Sequence, residues 1–505
     1  MSNFLGNLDG NIERLRQALK TKAFEPMPVR RMYIPKANGQ RRPLGIPTID
    51  DRIVQEALRM ILEPIWEADF SIHSYGFRPN RSTYNAVAYI GNRLTGLSGE
   101  SYQWIIEGDI TSYFDTIPHR RLLKAVKKRV ADRNIIDLLW KFLRAGVLER
   151  GKEYETLTGT PQGGIVSPLL ANIYLHELDK YMESNHLNIP GWKRNRLRKK
   201  GIGNFLYVRY ADDFIVMCNG TKAQALEMKE ELSEVLSAMG LKLSEEKTKV
   251  THITEGFKFL GYWIIRAVGE TGKMAPKVLI PKDAIRRVSH KIREVLNPTH
   301  TVDSLSTKII ALNRVTRGWC HYYSCTSSPS KTFHTMENQI FEEMAHWLGR
   351  KYKINMPEVM QRFRIENKFG TRRIQLVMPN EYKAKRLITI PWHNPYTAKE
   401  EIKREKLLSL EKLGNGRETG IPGWMDLREE VMLLKGTVCA LNMPGICESK
   451  GKPLHPSEVE VDHIILRAKF KDRTEADSMS NLQPVCTSCH RAKTKIDLKV
   501  LSRMR

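Results

Sequence analysis

The sequence predicts a multidomain α+β protein, and three observations carry that expectation. Its 505 residues exceed what one core holds, since about 150 residues per domain is usual, and suggest roughly three units. Runs of β-branched and aromatic residues are interspersed with apolar stripes at helical spacing. Four of the seven cysteines, Cys439, Cys447, Cys486 and Cys489, crowd into the last part of the chain, a pattern of metal binding rather than of secretory disulfides. The balance of 82 Lys plus Arg against 56 Asp plus Glu gives a formal charge of +26, of the sign that attracts phosphate backbones. An anionic membrane surface competes for such charge. Yet no stretch approaches the roughly 18 apolar residues of a span, and Met1 to Arg14 has no apolar signal core. The expected location is therefore the cytoplasm or an organelle matrix, not the secretory route.

Along the chain, Arg30 to Pro47 reads as a β-hairpin whose Asn38-Gly39 turn holds Lys36 and Arg42 near its ends. These cations suit a triphosphate; a solvated basic hairpin fits the local pattern equally well. Ile53, Val54, Ala57, Leu58, Ile61, Leu62 and Ile65 then recur on one helical face after Thr48 or Asp50 as cap, and are expected in the core. The loop from Ser74 to Ser82 is aromatic and Arg-rich, a composition that can stack on a nucleic-acid strand. Trp104 to Asp109 reads as a strand ending on an acid, followed by Pro118 and a basic amphipathic helix with Leu122, Leu123, Val126 and Val130 inward. In Gly159 to Tyr174, glycines let the backbone approach a ligand, Ser167-Pro168 starts a helix, and Gln162 can bond a base or sugar edge.

The stretch Leu206 to Cys218 carries the chemistry. It reads as two short strands joined at Ala211-Asp212-Asp213, with Leu206, Val208 and Tyr210 alternating with Tyr207 and Arg209. A lone Asp-Asp is ordinary turn chemistry. Side by side in an apolar hairpin, however, two carboxylates repel unless a divalent cation lies between them. Asp109 at a neighbouring strand end would complete a cluster for two cations roughly 3.5 to 4 Å apart, the arrangement that activates one oxygen and stabilises another in phosphoryl transfer.

Together these segments resemble the reverse transcriptases. Tyr210-Ala211-Asp212-Asp213 is similar to the family's active-site box, Asp109 to its partner aspartate, and Pro161-Gln162-Gly163 to the loop beneath template and incoming nucleotide. The resemblance implies a right-hand polymerase with fingers, an antiparallel palm sheet and two Mg²⁺ ions. It also implies Phe114, five positions after Asp109, as the gate against a ribose 2′-hydroxyl. Lys36 and Arg42 would be the triphosphate grip on dNTPs, and Lys247 an acid for the departing pyrophosphate. A helix over Lys222 to Met239, ending at Gly240, would pack behind the catalytic strands. Phe257 to Trp263 resembles the primer-contacting segment, and the six cations of Lys193 to Lys200 are expected to touch RNA.

Helical stripes at Ile285, Val288, Ile292 and Val295, and at Ile309, Leu312 and Val315, suit a thumb, and Arg317 to Tyr323 resembles the helical maturase region of group II intron-encoded proteins. Lys399 to Gly423 reads as a charged helix and flexible linker. The tail resembles HNH endonucleases, small ββα-metal modules. By that resemblance His463, oriented by Asn481, is the base, Asp462 and His490 hold one divalent cation, and Cys439, Cys447, Cys486 and Cys489 close a structural Zn²⁺ site. Cys439 and Cys447 stand eight positions apart, wider than the usual knuckle.

The expected organisation is fingers and palm over 1–275, thumb and maturase helices over 276–395, a DNA-binding region or linker over 396–430 and the HNH module over 431–505. The expected activity is RNA-directed DNA synthesis, with intron-RNA binding for splicing and nicking of target DNA. Oligomeric state is left open, a dimer included. The competing readings are a reverse transcriptase of another retroelement class and an RNA-binding splicing factor with vestigial enzyme sites.

Overall fold

The computed structural model describes residues 2–35, 39, 41–95, 102–269, 272–297, 303–365, 367–371, 374–385, 387, 394–397, 431–432, 435–447, 449–454, 459–466, 470 and 476–504. It divides into two compact units, Met1–Thr389 and Ile390–Arg505. No described helix is long and apolar enough to cross a membrane.

In the first unit, helices α1 (Ser2–Leu5) and α2 (Leu8–Lys20) precede the hairpin of β1 (Val29–Pro35) and β2 (Arg41–Ile46). Its register pairs Ile34 with Arg42 and Pro35 with Arg41; Lys36 and Asn38 of the expected turn lie outside the described residues. Helix α3 (Ile49–Glu67) is capped by Thr48, whose Oγ1 accepts the Asp51 N–H at 3.1 Å. Its stripe divides. Val54, Leu58 and Leu62 are buried, but Ala57 and Ile61, expected inside, are exposed. They line an apolar groove of about 310 Å³ with Leu19, Phe24 and Leu138, because the neighbouring helices flank that edge of α3 without closing over it.

After α4 (Thr83–Leu94) come β3 (Trp104–Gly108), the short α5 (Tyr113–Thr116), α6 (His119–Lys127) and α7 (Arg133–Arg144). Strands β4 (Val147–Glu149) and β5 (Lys152–Tyr154) extend the first hairpin into a sheet of order β2-β1-β4-β5. Helix α8 (Ser167–Met182), a π-turn (Glu183–Leu187) and α9 (Gly191–Lys199) lead into β6 (Phe205–Tyr210) and β7 (Asp213–Cys218). With α10 (Lys222–Ala238) and β8 (Lys249–His252) they complete a central antiparallel sheet of order β6-β7-β3-β8. The alternation read in β6 does not separate core from solvent: Leu206, Tyr207, Val208 and Arg209 are all buried. Both faces are covered, so the polar member Arg209 takes a buried acid from α8 as partner.

Strands β9 (Phe257–Phe259), β10 (Tyr262–Val268) and β11 (Met274–Leu279) form a second antiparallel sheet, followed by α11 (Lys282–Val295), α12 (Leu305–Tyr323), α13 (Pro329–Tyr352) and α14 (Met356–Phe363). The aromatic run at the end of α12 is a fastening rather than an exposed face. Tyr322 stacks on Tyr262 with ring centroids 5.0 Å apart, its hydroxyl donates to the Leu260 carbonyl at 2.6 Å, and Tyr323 donates to Gly261 at 3.2 Å. The helical part is thereby locked to the β9–β10 turn.

In the second unit, β12 (Val459–His463) pairs antiparallel with β13 (Leu482–Cys486), which runs directly into α15 (Thr487–Met504), a ββα order. Of the region expected as linker, residues 398–430 lie outside the described set.

Candidate active site

The catalytic candidates meet at one end of the central sheet. The pairing of β3 with β7 ends at Gly108 opposite Phe214, so Asp109, the next residue, stands across from Asp213. Gly108 permits this: a Cβ there would lie 2.1 Å from the Phe214 ring. Asp109 is fixed by its backbone, its carbonyl accepting the Ser244 N–H at 2.8 Å. Lys247 Nζ donates to Asp109 Oδ2 at 2.8 Å.

Tyr210 and Asp213 are the last pair of the β6–β7 hairpin, leaving Ala211 and Asp212 as the turn. Ala211 has φ +57°, which L residues rarely adopt outside over-determined sites. Two supports hold it. Arg209 Nη1 donates to the Ala211 carbonyl at 3.0 Å. Gly76 packs so closely that a Cβ would sit 2.4 Å from the Ala211 nitrogen. Arg209 is itself fully buried, paired to Asp179 of α8 at 2.7 and 2.5 Å, and bonded to Asn172 Oδ1 at 3.0 Å. Asn172 in turn donates to the Gly76 carbonyl at 2.8 Å, and Tyr207 donates to Asp179 at 3.0 Å. Sequence reasoning missed Asp179 and Asn172; the one signal was an Arg inside an otherwise apolar strand.

The electrostatics follow from this crowding. Burial, then the charges of Asp212 and Asp109, push the Asp213 carboxyl up to about 7. Burial raises Asp212 as well, with Asp109 adding to the rise and a backbone hydrogen bond, Arg42 and Lys247 opposing it. Lys247 is raised, first by its hydrogen bond to Asp109, so it acts as a counter-charge while that bond lasts. Asp212 and Asp213, both raised, beside Asp109 and only modest positive charge have the donor chemistry of a hard divalent-cation site.

Of the other predicted residues, Phe114, Gln162 and Arg42 are among the described residues and Lys36 is not. Phe114 lies edge-on to Phe77, centroids 6.4 Å apart, and its carbonyl accepts the Thr160 N–H at 2.6 Å. Gln162 Nε2 donates to Asp115 Oδ2 at 3.0 Å, and its carbonyl accepts the Gly45 N–H at 2.7 Å. The glycine loop thus bridges α5 to β2 and, with Arg31, Tyr33 and Arg41, lines a cleft of about 550 Å³. Arg42 is exposed and close enough to Asp212 to act on its charge.

In the second unit, Asp462 Oδ1 and His490 Nε2 lie 3.8 Å apart. Asp462 is also gripped by Lys493 at 3.0 Å and Gln483 at 3.2 Å. His463 Nε2 lies 2.8 Å from Asp477 Oδ1. This corrects the expected orientation of His463 by Asn481. The Asn481 amide bonds backbone only: Ile465 N–H at 2.8 Å, the Ile465 carbonyl at 3.1 Å and the Ala476 carbonyl at 2.8 Å. Asn481 shapes the loop after β12, and Asp477 touches the imidazole. The four cysteines are buried, and their sulfurs all lie within 4.8 Å of one another. The wide spacing of Cys439 and Cys447 is thus no obstacle to a thiolate set suited to zinc. The Cys489 thiol is pushed up by burial and by its cysteine neighbours.

Residues 34–264 match the reverse transcriptase (RNA-dependent DNA polymerase) family, residues 285–364 the group II intron maturase-specific domain and residues 445–495 the HNH endonuclease family. Protein YkfC of Escherichia coli (strain K12) is 41% identical over 301 residues, 56% of this chain and 79% of that one. Group II intron-encoded protein LtrA of Lactococcus lactis subsp. cremoris is 35% identical over 393 residues, 64% of this chain and 65% of its own length. An uncharacterized 91 kDa protein in the cob intron of Schizosaccharomyces pombe is 33% identical over 406 residues, 68% of this chain and 50% of its own. The chain therefore spans just under two thirds of LtrA and half of the yeast relative. With reverse transcriptase, maturase and nuclease families matched in that order on one basic chain, it belongs to the group II intron-encoded proteins, chains of α+β architecture that carry a reverse transcriptase domain, a maturase-specific domain and an HNH endonuclease domain.

Proposed function

We propose that this chain copies RNA into DNA at the Asp109–Asp212–Asp213 site, binds its intron RNA to assist splicing, and nicks target DNA with its C-terminal module to supply the primer. The observation that carries the reading is the convergence of three carboxylates from two paired strands, with Asp213 pushed up to about 7. Asp109, Asp212 and Asp213 hold two Mg²⁺ ions. Ions so held supply charge for the attacking hydroxyl and the departing pyrophosphate. Arg42, with Lys36, grips the dNTP triphosphate, Phe114 screens the sugar, and Gln162 sets the loop under the base. Lys247 is the acid for the leaving group. It can donate only once its hydrogen bond to Asp109 is given up, since that bond strengthens its hold on the proton.

In the C-terminal module His463 takes a proton from water, with Asp477 holding the imidazole and Asn481 the loop, while Asp462 and His490 hold a divalent cation. Residues 1–275 are read as fingers and palm, 276–395 as thumb and maturase helices, 396–430 as a DNA-binding linker and 431–505 as the nuclease. Relatives in bacteria and in cob and COX1 introns support a bacterial cytoplasm or an organelle matrix as the compartment.

Primer extension on an RNA template with Mg²⁺ tests the polymerase. Asp212→Ala is expected to lower the rate by roughly two to three orders of magnitude, the loss that follows removal of one preorganised electrostatic group; wild-type extension that survives the substitution sinks the assignment. Nicking of supercoiled plasmid tests the nuclease. His463→Ala should abolish it, and Asp477→Asn should slow it about 10- to 100-fold, as loss of a residue behind the reacting group does. Unchanged nicking by His463→Ala refutes the proposed base.

A further inference from the structure

Helix α9 buries none of its nine residues. With its cap it carries six cations, Lys193, Arg194, Arg196, Arg198, Lys199 and Lys200, and no acidic residue occurs between Glu183 and Asp212. Like charges this dense repel, so the helix depends on its base. Arg194 Nη2 donates to the Leu187 carbonyl at 2.8 Å, Asn204 Nδ2 to the Arg194 carbonyl at 3.1 Å, and Gln224 Nε2 to the Gly201 carbonyl at 2.9 Å. Arg194 and Leu197 are half-buried and define the side facing the body. At about 100° per residue, the opposite side carries Trp192, Arg196 and Lys199 at i, i+4 and i+7, bordered by Lys193 and Lys200. Trp192 is 67% exposed. Lys193, Arg196, Lys199 and Lys200 have no ion-pair partner among the described residues. The helix is fastened at the Asn204 end of β6, while the catalytic turn follows Tyr210 at the other end, roughly 17 Å of strand away.

We propose that the outward face of α9 is a docking surface for the phosphate backbone of structured RNA, separate from the polymerase cleft, with Trp192 stacking on an exposed base. It rests on the reading that the chain binds RNA. Charge complementarity selects the partner: a rigid array of uncompensated cations matches phosphates, and an aromatic ring one turn from Arg196 and two from Lys199 matches a base stacked beside its own backbone. A lipid surface fits less well, because one indole on a nine-residue helix offers too little apolar area to insert.

The test uses the full chain, a fluorescent RNA hairpin, and the cleft filled with unlabelled primer–template. Lys193→Gln/Arg196→Gln/Lys199→Gln is expected to weaken hairpin binding at least about tenfold at physiological salt and to flatten the dependence of log Kd on log salt by about 2 to 3. Trp192→Ala should cost about fivefold or more, with Trp192→Phe restoring most of it. Primer extension on a short template should stay at the wild-type rate, which also reports that the variants fold. A triple variant with wild-type affinity and salt slope overturns the proposal, as does a loss confined to phosphatidylserine vesicles. A wild-type chain that fails to bind the hairpin overturns this proposal together with the RNA-binding reading.

Discussion

Asp179→Ala is expected to destabilise the first unit by about 3 to 5 kcal/mol, the cost of stranding a buried charge without its partner, and to abolish primer extension. Both side chains of the Asp179–Arg209 pair are fully buried, so water cannot replace the lost carboxylate. The same guanidinium holds the Ala211 carbonyl, and Ala211 precedes the two acids of the turn. Denaturant unfolding gives the first quantity and a primer-extension assay the second. A double variant, Asp179→Leu/Arg209→Met, separates them. Removing both charges together should recover most of the stability, since buried pairs can be replaced by apolar residues at small cost. Activity should stay lost, because nothing then holds the Ala211 carbonyl against its left-handed φ. A double variant that is stable and fully active would mean that the turn holds its shape unaided. Tyr207→Phe is a milder control, forfeiting one hydrogen bond worth about 1 kcal/mol.

That network marks where the sequence ceased to be legible. The β6–β7 hairpin, the helix entries at Thr48 and Ser167 and the stop at Gly240 were readable because each is set by residues within a few positions: a two-residue turn, a cap, a left-handed glycine. Asp179 is thirty positions from Arg209. Nothing local to β6 announces that both of its faces are covered. Ile61 failed in the opposite sense: its spacing is that of a core residue, but its exposure depends on whether α2 and α7 meet over it. In the nuclease module the family pattern named His463 and Asn481 and implied that the amide orients the imidazole. Asp477 reaches the imidazole from fourteen positions further on, a contact that spacing does not encode, and Asn481 acts on the backbone of Ile465 and Ala476.

The cysteines carry the other large expectation. Among the described residues, one apolar cluster of the C-terminal unit consists of Val431, Val461 and Leu482 with Met479. The other is Val485 with the four cysteines, lined by Leu441, Met443 and Leu454. Cores this small seldom hold a fold alone, and small units commonly rely on a metal or disulfides. Four sulfurs within 4.8 Å make zinc the expected staple, contributing about 10 kcal/mol or more to folding at neutral pH. Elemental analysis of the chain purified without chelator should return one zinc. Stripping it with 1,10-phenanthroline, or changing Cys486→Ser, should leave the C-terminal unit open to limited proteolysis and end nicking, while primer extension persists once Mg²⁺ is supplied. A fold released by reductant and indifferent to chelator would assign the staple to disulfides instead. The acid side follows from the ligands: a thiol must lose its proton to bind metal, and burial with its cysteine neighbours raises Cys489, so zinc should leave, and the unit open, as pH falls.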